Sequence, residues 1–220
     1  MGTTVVVGAS RGIGLAICKR LAARGETVIG VCRKAPPELA AIGVEVVEGV
    51  DVTSERSVAE LARRLADRQI DVVHVVAGIL EHTRLDALDF ERIRAQLEVN
   101  ALGPLRVSGA LVPSLHPGSK IALYTSRMGS LGDNTSGSHY GYRMSKAALN
   151  MAGVSLAHDL RGRGIAVVLL HPGFVRTEMT GGNGDVSADE SAAGCIARVD
   201  ELTLETSGRF LHANGTTLPW

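Results

Sequence analysis

The sequence of 220 residues predicts an α/β fold, in which a doubly wound parallel sheet of about seven strands is flanked by helices. Short β-branched runs alternate with segments whose apolar residues recur at helical spacing, and this alternation favours right-handed crossovers between parallel strands. Most of the short runs are apolar at nearly every position, as in strands that helices cover on both faces. No repeat, linker or low-complexity tract divides the chain, so a single domain spanning residues 1–220 is expected.

The predicted elements follow one another along the chain. The strands are Thr3–Val7, Thr27–Cys32, Val44–Glu48, Val72–Val76, Lys120–Tyr124, Ala166–Leu170 and Gly208–His212. The helices are Ile13–Arg24, Ser54–Asp67, Phe90 to about Val112, Tyr142–Arg161 and Ser187–Leu202, with a weaker one at Pro37–Ala41. Ser187 and Glu190 stand at the spacing of a capping box, which indicates the start of the last helix. Gly132–His139, rich in Gly, Ser, Asn and Asp, is predicted to be a loop.

Composition and charge exclude several classes of partner. Lysine plus arginine equals aspartate plus glutamate, 23 each, so no basic surface for nucleic acid or for an anionic membrane is expected. No apolar run approaches the roughly 20 residues of a membrane helix, and the first residues do not resemble a signal peptide. Cys18, Cys32 and Cys195 lack metal-ligand spacing, so we expect buried apolar residues and no metal site. A soluble, cytoplasmic protein is the expectation.

Gly8, Gly12 and Gly14 lie directly after the first predicted strand and open the first helix. Ligands of such sheets bind beyond the carboxyl ends of the strands. Glycines there allow a tight turn and let the backbone approach a pyrophosphate at the positive end of the helix. A purely structural turn also needs glycines, and the spacing differs from the commoner Gly-x-Gly-x-x-Gly pattern. The position after the first strand nevertheless favours a dinucleotide site.

Arg33 indicates which dinucleotide is bound. It lies 19 positions after Gly14, at the end of the second strand, where an acidic residue would bind a ribose 2′-hydroxyl. A carboxylate would repel a 2′-phosphate, whereas Arg11 and Arg33 could bind one through charge-assisted hydrogen bonds. The alternative is that both arginines are ordinary solvated charges. We predict that NADP is preferred over NAD.

Further motifs follow in order along the chain. They are Asp51-Val52-Thr53, Val99-Asn100-Ala101, Ser126-Arg127-Met128-Gly129, the pair Tyr142 and Lys146, and Pro172-Gly173 with Thr177. Together with the glycines they resemble the short-chain dehydrogenase/reductase family of the classical type, over nearly the whole chain. The final stretch, Gly208–Trp220, and the residues that follow Ser126 resemble the C-factor-like branch of that family.

The resemblance implies a Rossmann-type NAD(P)-binding domain with a catalytic group of four residues. It implies that Tyr142 is the general acid/base, and that Lys146 holds the nicotinamide ribose and lowers the pKa of that tyrosine. It implies that Ser126 hydrogen-bonds the reacting oxygen, and that Asn100 holds a water that links Lys146 to solvent. The implied cofactor-binding residues are Gly8, Ser10, Arg11, Gly12, Ile13, Gly14, Arg33, Asp51, Val52, Ala77, Gly78, Asn100, Tyr142, Lys146, Pro172, Gly173, Val175 and Thr177.

The spacing of Tyr142 and Lys146 agrees with this assignment. Residues at i and i+4 share a helix face, and a free phenol has a pKa near 10. A cation about 4 Å away favours the phenolate by roughly 4 kcal/mol at an effective dielectric constant of 20, before burial opposes it. Tyr140 is the rival phenol, but Met144 lies four residues beyond it and carries no charge.

Other candidate side chains fit less well. Thr125 and Ser130 are the rivals of Ser126, but only Ser126 stands at the motif's spacing from Gly129. His74 lies in an apolar strand and is predicted to be a satisfied core residue. Two further histidines are expected to line the site without a catalytic role, His139 and His171.

Three features depart from the family pattern. Val76 replaces the asparagine that stabilises the central sheet in the family, so local stability rather than activity is in doubt. Ser126 and Tyr142 are 16 residues apart, a few more than usual, so Gly132–His139 is expected to bulge outward over the pocket. The segment Glu178–Val186 is short where many relatives carry a lid, which predicts a less enclosed substrate pocket.

The resulting hypothesis is an NADP(H)-dependent oxidoreductase that acts on a small-molecule carbonyl or alcohol. The alternatives are a dinucleotide-binding regulatory or signalling protein with little turnover, and an interaction scaffold. A homodimer or homotetramer is expected, because small residues share one face of the helix that begins at Tyr142. They are Ala147, Ala148, Met151, Ala152 and Ser155. Trp220, the only tryptophan, is predicted to dock on its own chain near the substrate mouth or on a neighbouring subunit.

Overall fold

A parallel sheet of seven strands runs through the computed structural model, which describes residues 2–220. The strands of this sheet are β1 (Thr3–Val7), β2 (Thr27–Val31), β3 (Glu45–Val47), β4 (Ile70–Val75), β5 (Leu115–Tyr124), β6 (Ala166–His171) and, near the end, β9 (Phe210–His212). Two short strands, β7 (Val175–Arg176) and β8 (Val186–Ser187), pair only with each other. The seven predicted strands are confirmed, whereas β7 and β8 were not predicted.

Seven helices connect the strands. They are α1 (Gly12–Ala23), α2 (Pro37–Ala41), α3 (Glu55–Arg64), α4 (Phe90–Leu97), α5 (Gly103–Leu111), α6 (Tyr140–Arg161) and α7 (Ala188–Asp200). The strand order β3-β2-β1-β4-β5-β6-β9 means that the winding direction reverses between β1 and β4. A crevice forms at such a reversal, beyond the carboxyl ends of the strands. The fold therefore places a ligand site after β1, where the glycine-rich turn lies.

Apolar side chains form a core layer on each face of the sheet. Alternate residues of β1 point to opposite faces, so Val5 and Val7 belong to one layer and Val6 to the other. Helices α3, α5 and α6 cover the first layer, and α1, α2 and α7 cover the second. The three cysteines are free and buried, as predicted for apolar core residues.

The long helix predicted from Phe90 to about Val112 is interrupted. Between α4 and α5 the residues Glu98–Leu102 form a π-helical turn, in which the N–H of Gly103 donates to the carbonyl of Glu98. Pro104 has no N–H to donate to the carbonyl oxygen four residues earlier, so a regular α-helical bond cannot form there. Asn100 lies within this π-helical turn and is completely buried.

Helix α6 begins at Tyr140, two residues before the predicted start. Thr83 provides the reason, because it accepts hydrogen bonds from the N–H groups of His139 (2.8 Å, to its carbonyl oxygen) and Gly141 (3.2 Å, to its hydroxyl oxygen). Donors at the start of a helix have no partner within the helix, so these contacts stabilise the earlier start.

The last residues fold back along β9. The N–H of Leu218 donates to the carbonyl of Phe210 at 2.9 Å, and the N–H of His212 donates to the carbonyl of Thr216 at 2.8 Å. The Trp220 ring stacks on Phe210 with ring centroids 5.5 Å apart, although 49% of its surface stays exposed. This agrees with the prediction that Trp220 docks on its own chain. Within residues 2–220, no helix has both the length and the apolar character needed to cross a lipid bilayer.

Candidate active site

The glycine-rich turn connects β1 to α1 and lies at the reversal of winding. Gly8 has a φ of +98°, and a Cβ there would lie 2.6 Å from the backbone nitrogen of Ala77, so a larger residue would push β1 and β4 apart. Gly14 is equally constrained, because its Cβ would overlap the carbonyl oxygen of Gly8. Arg11 precedes α1 without a side-chain cap, which leaves the first N–H groups of the helix free for an anion.

A cavity of about 420 Å³ opens over this turn. Twelve of the predicted cofactor-binding residues line it, namely Gly8, Ser10, Arg11, Gly12, Ile13, Gly14, Arg33, Asp51, Val52, Ala77, Gly78 and Thr177. The other six, Asn100, Tyr142, Lys146, Pro172, Gly173 and Val175, do not line it. Sequence reasoning missed the ten other residues that line the cavity, namely Val7, Val31, Cys32, Val50, Val76, Ile79, Val99, Arg176, Glu178 and Met179. Most of these residues are direct neighbours in sequence of a predicted cofactor-binding residue. That position in the sequence is the signal that could have identified them.

Arg11 and Arg33, two of the arginines that line the cavity, differ in their partners. Arg11 forms an exposed ion pair with Glu178, which the sequence did not reveal because the two are far apart along the chain. Arg33 is exposed and forms no ion pair with any residue in the range 2–220. The pKa of Asp51 is lowered mainly by hydrogen bonds from Thr53, and to a smaller extent by the charge of Arg33. Arg33 is therefore the cation that remains unpaired beside the cavity.

The segment after β6 runs from Pro172 to Thr177, and its end lines the cavity on the side opposite β2. Gly173 has a φ of +93°, and the carbonyl of Pro172 accepts a hydrogen bond from the hydroxyl of Ser191 at 2.7 Å. Val175 is buried in β7, so only its backbone is available to a ligand. Thr177 caps a short 3₁₀ turn, and its methyl carbon lies 3.4 Å from where a Cβ of Gly12 would be. This contact places the segment against the start of α1.

Tyr142 and Lys146 lie together near the start of α6. The Lys146 ammonium nitrogen is 5.7 Å from the centroid of the Tyr142 ring and donates to the carbonyl oxygen of Tyr124 at 2.8 Å. Burial raises the pKa of Tyr142 to about 12, although a hydrogen bond with Ser126 opposes the rise. Burial also lowers the pKa of Lys146 to about 7. The predicted lowering of the pKa of Tyr142 is therefore wrong here, because burial raises that pKa by more than the hydrogen bond with Ser126 lowers it.

Ser126 follows β5 and begins a 3₁₀ turn, Arg127–Gly129. Its hydroxyl oxygen accepts a hydrogen bond from the N–H of Met128 at 3.1 Å, which fixes the side chain. Gly129 lets this turn pack on α6, since a Cβ there would lie 2.7 Å from the carbonyl carbon of Lys146. The rival Thr125 instead donates to the side-chain oxygen of Asn150 at 2.6 Å, inside the core. Ser126 is thus the hydroxyl at this position that hydrogen-bonds the phenol of Tyr142.

Asn100 anchors the segment that follows β4. Its side-chain oxygen accepts from the N–H of Ile79 and its amide donates to the carbonyl of Ile79, both at 2.8 Å. The amide also donates to the hydroxyl of Ser145 at 3.0 Å, so both of its hydrogens are used. Its oxygen and the Lys146 nitrogen converge on Gly78, where a Cβ would lie 3.2 and 3.6 Å from them. The water between Asn100 and Lys146 stays a prediction.

Three further predictions concern His74 and Val76, in or next to the core, and the loop Gly132–His139 at the surface. His74 is buried and its ring nitrogen lies 3.0 Å from the Tyr124 hydroxyl, so it is a satisfied core residue, as predicted. Val76 packs against the second core layer, as a valine must. Gly132–His139 is a largely exposed loop, and Arg143 binds it by donating to the carbonyl oxygens of Gly137 and Ser138 at 3.1 and 3.2 Å.

The comparison with proteins of known function agrees with this geometry. The sequence pattern of the family described as short chain dehydrogenase matches residues 2–187. The 1-hydroxy-2-glutathionyl-2-methyl-3-butene dehydrogenase of Rhodococcus sp. (strain AD45) is 48% identical over 226 positions and is covered, like this chain, over 100% of its length. The C-signal protein of Myxococcus xanthus is 48% identical over 138 residues, which are 62% of this chain and 83% of that protein.

A solved structure extends the comparison to three dimensions. The NADPH-bound carbonyl reductase from chicken fatty liver matches with a TM-score of 0.90 and 28% identity, over 99% of this chain and 98% of its own. The C-signal match confirms the likeness to the C-factor-like branch that the sequence predicted. The fold, the glycine-rich turn and the motif match all point to one conclusion, that the chain belongs to the short chain dehydrogenase family.

Proposed function

We propose that the protein is an NADP(H)-dependent oxidoreductase that transfers a hydride between nicotinamide C4 and the carbon of a carbonyl or alcohol, with Tyr142 as general acid/base. The observation that carries the proposal is the group formed by the buried Ser126 and Lys146 and the half-buried Tyr142, next to the glycine-lined cavity. The cavity fits a dinucleotide, because the uncapped N–H groups of α1 suit a pyrophosphate and the glycines allow its close approach. Gly78, beside Lys146, connects the cavity to the catalytic side chains.

The proton chemistry follows from the two pKa values. With a pKa of about 12, Tyr142 is protonated near neutral pH and can donate its proton to the oxygen of a carbonyl that is being reduced. Lys146, with a pKa of about 7, is poised to replace that proton within the buried site. Ser126 donates a hydrogen bond to the same oxygen and stabilises its developing charge. In the oxidation direction these groups act in reverse.

The preference for NADP rests on Arg33. It is the unpaired cation at the end of β2, and no acidic residue stands there to bind a ribose 2′-hydroxyl. Its planar guanidinium can form two parallel hydrogen bonds with a 2′-phosphate. Arg11 can join it after separating from Glu178, and separating an exposed ion pair costs little.

A signalling role is the second candidate, favoured by the similarity to the C-signal protein. A protein that only senses the dinucleotide has no need of the tyrosine, serine and lysine together, and this chain has all three. The discriminating experiment is steady-state oxidation of NADPH with aldehydes, ketones, quinones and the glutathione conjugate named for the Rhodococcus relative. Turnover with any of them, lost in Tyr142→Phe, supports the enzyme; tight NADPH binding without any turnover supports the sensor.

We also propose that two chains associate through α5 and α6. On α6, Ala148, Met151 and Ser155 are exposed, and Met151 is 69% exposed. On the adjoining π turn and α5, Leu102 and Leu105 are 48% and 41% exposed. Exposed apolar side chains gathered on one face are typical of an interface, and the small residues among them let two helices approach closely.

A further inference from the structure

The proposed catalytic residues Ser126, Tyr142 and Lys146 lie beside the cavity proposed for the nucleotide, but none of them lines it. That cavity is lined mainly by residues that follow β1, β2, β3 and β4, on one half of the sheet, and also by Arg176–Met179 from the segment after β6. Ser126 follows the end of β5, next to the middle of the sheet. Strands β6 and β9 form the other half, and they end in His171 and His212. Neither histidine lines the cavity, so their side of the sheet is available to a substrate.

The register of the sheet places the two histidines side by side. His171 pairs with His212 across the parallel strands β6 and β9, two residues after the pair Leu169 and Phe210. Leu169 and Phe210 pack in one cluster with Val154 of α6, so the histidines also point to the α6 face. Their ring centroids are 5.0 Å apart and nearly perpendicular. This is the face on which Tyr142 lies.

Both rings offer hydrogen-bonding capacity that the protein does not use. The Nδ1 atom of His171 is buried without a hydrogen-bond partner anywhere in residues 2–220, which is uncommon for a buried polar atom. The Nδ1 atom of His212 accepts a hydrogen bond from the N–H of Asn214 at 3.0 Å, so in its neutral form this ring carries the proton on Nε2. That Nε2 lies beside Gly173, 3.7 Å from where a Cβ would be.

Arg127 adds a charge to the pair. It follows Ser126 directly, and its Nε lies 2.8 Å from a side-chain oxygen of Asp133. Its two terminal nitrogens bind no protein group within the described part of the chain, and its side chain is 55% exposed. The pKa values of His171 and His212 are both lowered, first by burial and also by the positive charge of Arg127. Arg127 is therefore close enough to both histidines to disfavour their charged forms.

We infer that His171, His212 and Arg127 bind a carboxylate group of the substrate, which is therefore an aldehyde, ketone or alcohol that also carries an acid. A carboxylate has about four lone pairs and can accept from several donors at once, as these three side chains can provide. Asp133 pairs with the Nε atom of Arg127, so the two terminal nitrogens of the guanidinium remain free for the carboxylate. The inference rests on the proposed oxidoreductase function and narrows its substrate class.

Matched substrates test the inference through turnover. We would use aldehyde acids of increasing chain length, each with its methyl ester, so that only the charge differs within a pair. We expect at least one acid to exceed its ester in kcat/KM by about tenfold or more, which is the effect of one charge-assisted hydrogen bond. Arg127→Gln and His212→Gln should remove that preference and leave ester turnover unchanged. His158→Gln, an exposed histidine near the far end of α6, is the matched control and should change neither.

A binding measurement keeps the inference separate from catalysis. Trp220, the sole tryptophan, stacks on Phe210 two residues before His212, so its fluorescence reports on this site. Benzoate should change the emission saturably and benzamide should not, and the benzoate response should weaken in both variants. His212→Gln leaves the ion pair between Arg127 and Asp133 intact. A weaker benzoate response in this variant therefore reflects lost benzoate binding and not a disturbed loop Gly132–His139. Equal responses to benzoate and benzamide, or equal kcat/KM for every acid and its ester, would overturn the inference. Failure of all turnover with intact benzoate binding would instead contradict the proposed function.

Discussion

The ammonium group of Lys146 lies over the Tyr142 ring, 5.7 Å from its centroid, and hydrogen-bonds the carbonyl oxygen of Tyr124 rather than the phenol. The lysine is thereby held by the end of β5, the strand that Ser126 follows. Both polar neighbours of the tyrosine thus depend on one strand end. A shift of β5 against α6 would move them together.

Tyr142→Phe should reduce turnover by about a hundredfold or more, because it removes the proton donor while it preserves the shape of the ring. NADP binding, measured by fluorescence titration, should stay nearly unchanged. Lys146→Ala should weaken both binding and turnover, since it removes a ribose contact as well. Tyr140→Phe is the control and should have a mild effect. Equal losses in the two tyrosine variants would contradict the assignment of Tyr142.

Arg33→Asp should shift the cofactor preference from NADP toward NAD, by about tenfold or more in the ratio of their kcat/KM values. The change replaces a cation that binds a phosphate with an anion that repels it and can bind a ribose hydroxyl. Lys34→Asp makes the same change of charge at the neighbouring exposed residue, which does not line the cavity. A wild-type protein that binds NAD and NADP equally well would show that the arginine argument is wrong.

Asn100→Ala should lower the free energy of unfolding by about 3 kcal/mol, because it leaves the half-buried N–H and carbonyl groups of Ile79 without side-chain partners. Urea unfolding measures the change. Asn134→Ala removes an exposed hydrogen bond in the loop, at 3.1 Å to the N–H of Gly137, and should cost much less. Similar losses in both variants would mean that Asn100 does not hold this segment.

Acidification should destabilise the protein through His74. Burial lowers its pKa from 6.5 to about 4, so between these values the unfolded chain binds a proton that the folded chain does not. Stability is therefore fully present above pH 6.5 and falls as the pH decreases toward 4, by about 2 kcal/mol between pH 7 and pH 5. His74→Gln should lose less stability over that interval, as measured by urea unfolding at each pH. Parallel losses in the variant and the wild type would exclude His74 as the cause.

Met151→Glu should separate the proposed dimer, because a charge would then face the apolar surface of the second copy. Sedimentation should give a dimer for the wild type and a monomer for the variant. Leu85→Glu, at a residue that is 72% exposed outside this face, is the control and should stay dimeric. A monomeric wild type would contradict the proposed interface.

Much of the fold could be predicted from the sequence because the signals are local. The apolar runs defined the seven strands, and Gly8, Gly12 and Gly14 marked the turn between β1 and α1. The start of α6 could not be predicted, because it depends on Thr83, which bonds Gly141 from 58 positions away. The π turn at Glu98–Leu102 also departs from the regular period that sequence patterns assume.

The sequence predicted twelve of the residues that line the cavity, but it did not predict the electrostatics of the candidate site. The spacing of Tyr142 and Lys146 gave their neighbourhood correctly. The direction of the tyrosine pKa did not follow from spacing, because it depends on how deeply both groups are buried. The ion pair of Arg11 with Glu178 joins residues 167 positions apart and left no pattern in the sequence.

The fold-back of the last residues along β9 has a consequence for solubility. A strand at the edge of a sheet presents unpaired N–H and carbonyl groups, which can recruit a strand from another molecule. The bonds from Leu218 to Phe210 and from His212 to Thr216 occupy those groups of β9. At the opposite edge, β3 is only three residues long and begins with Glu45, which discourages the same contact. Both borders of the sheet are thus protected against the growth of intermolecular β-aggregates.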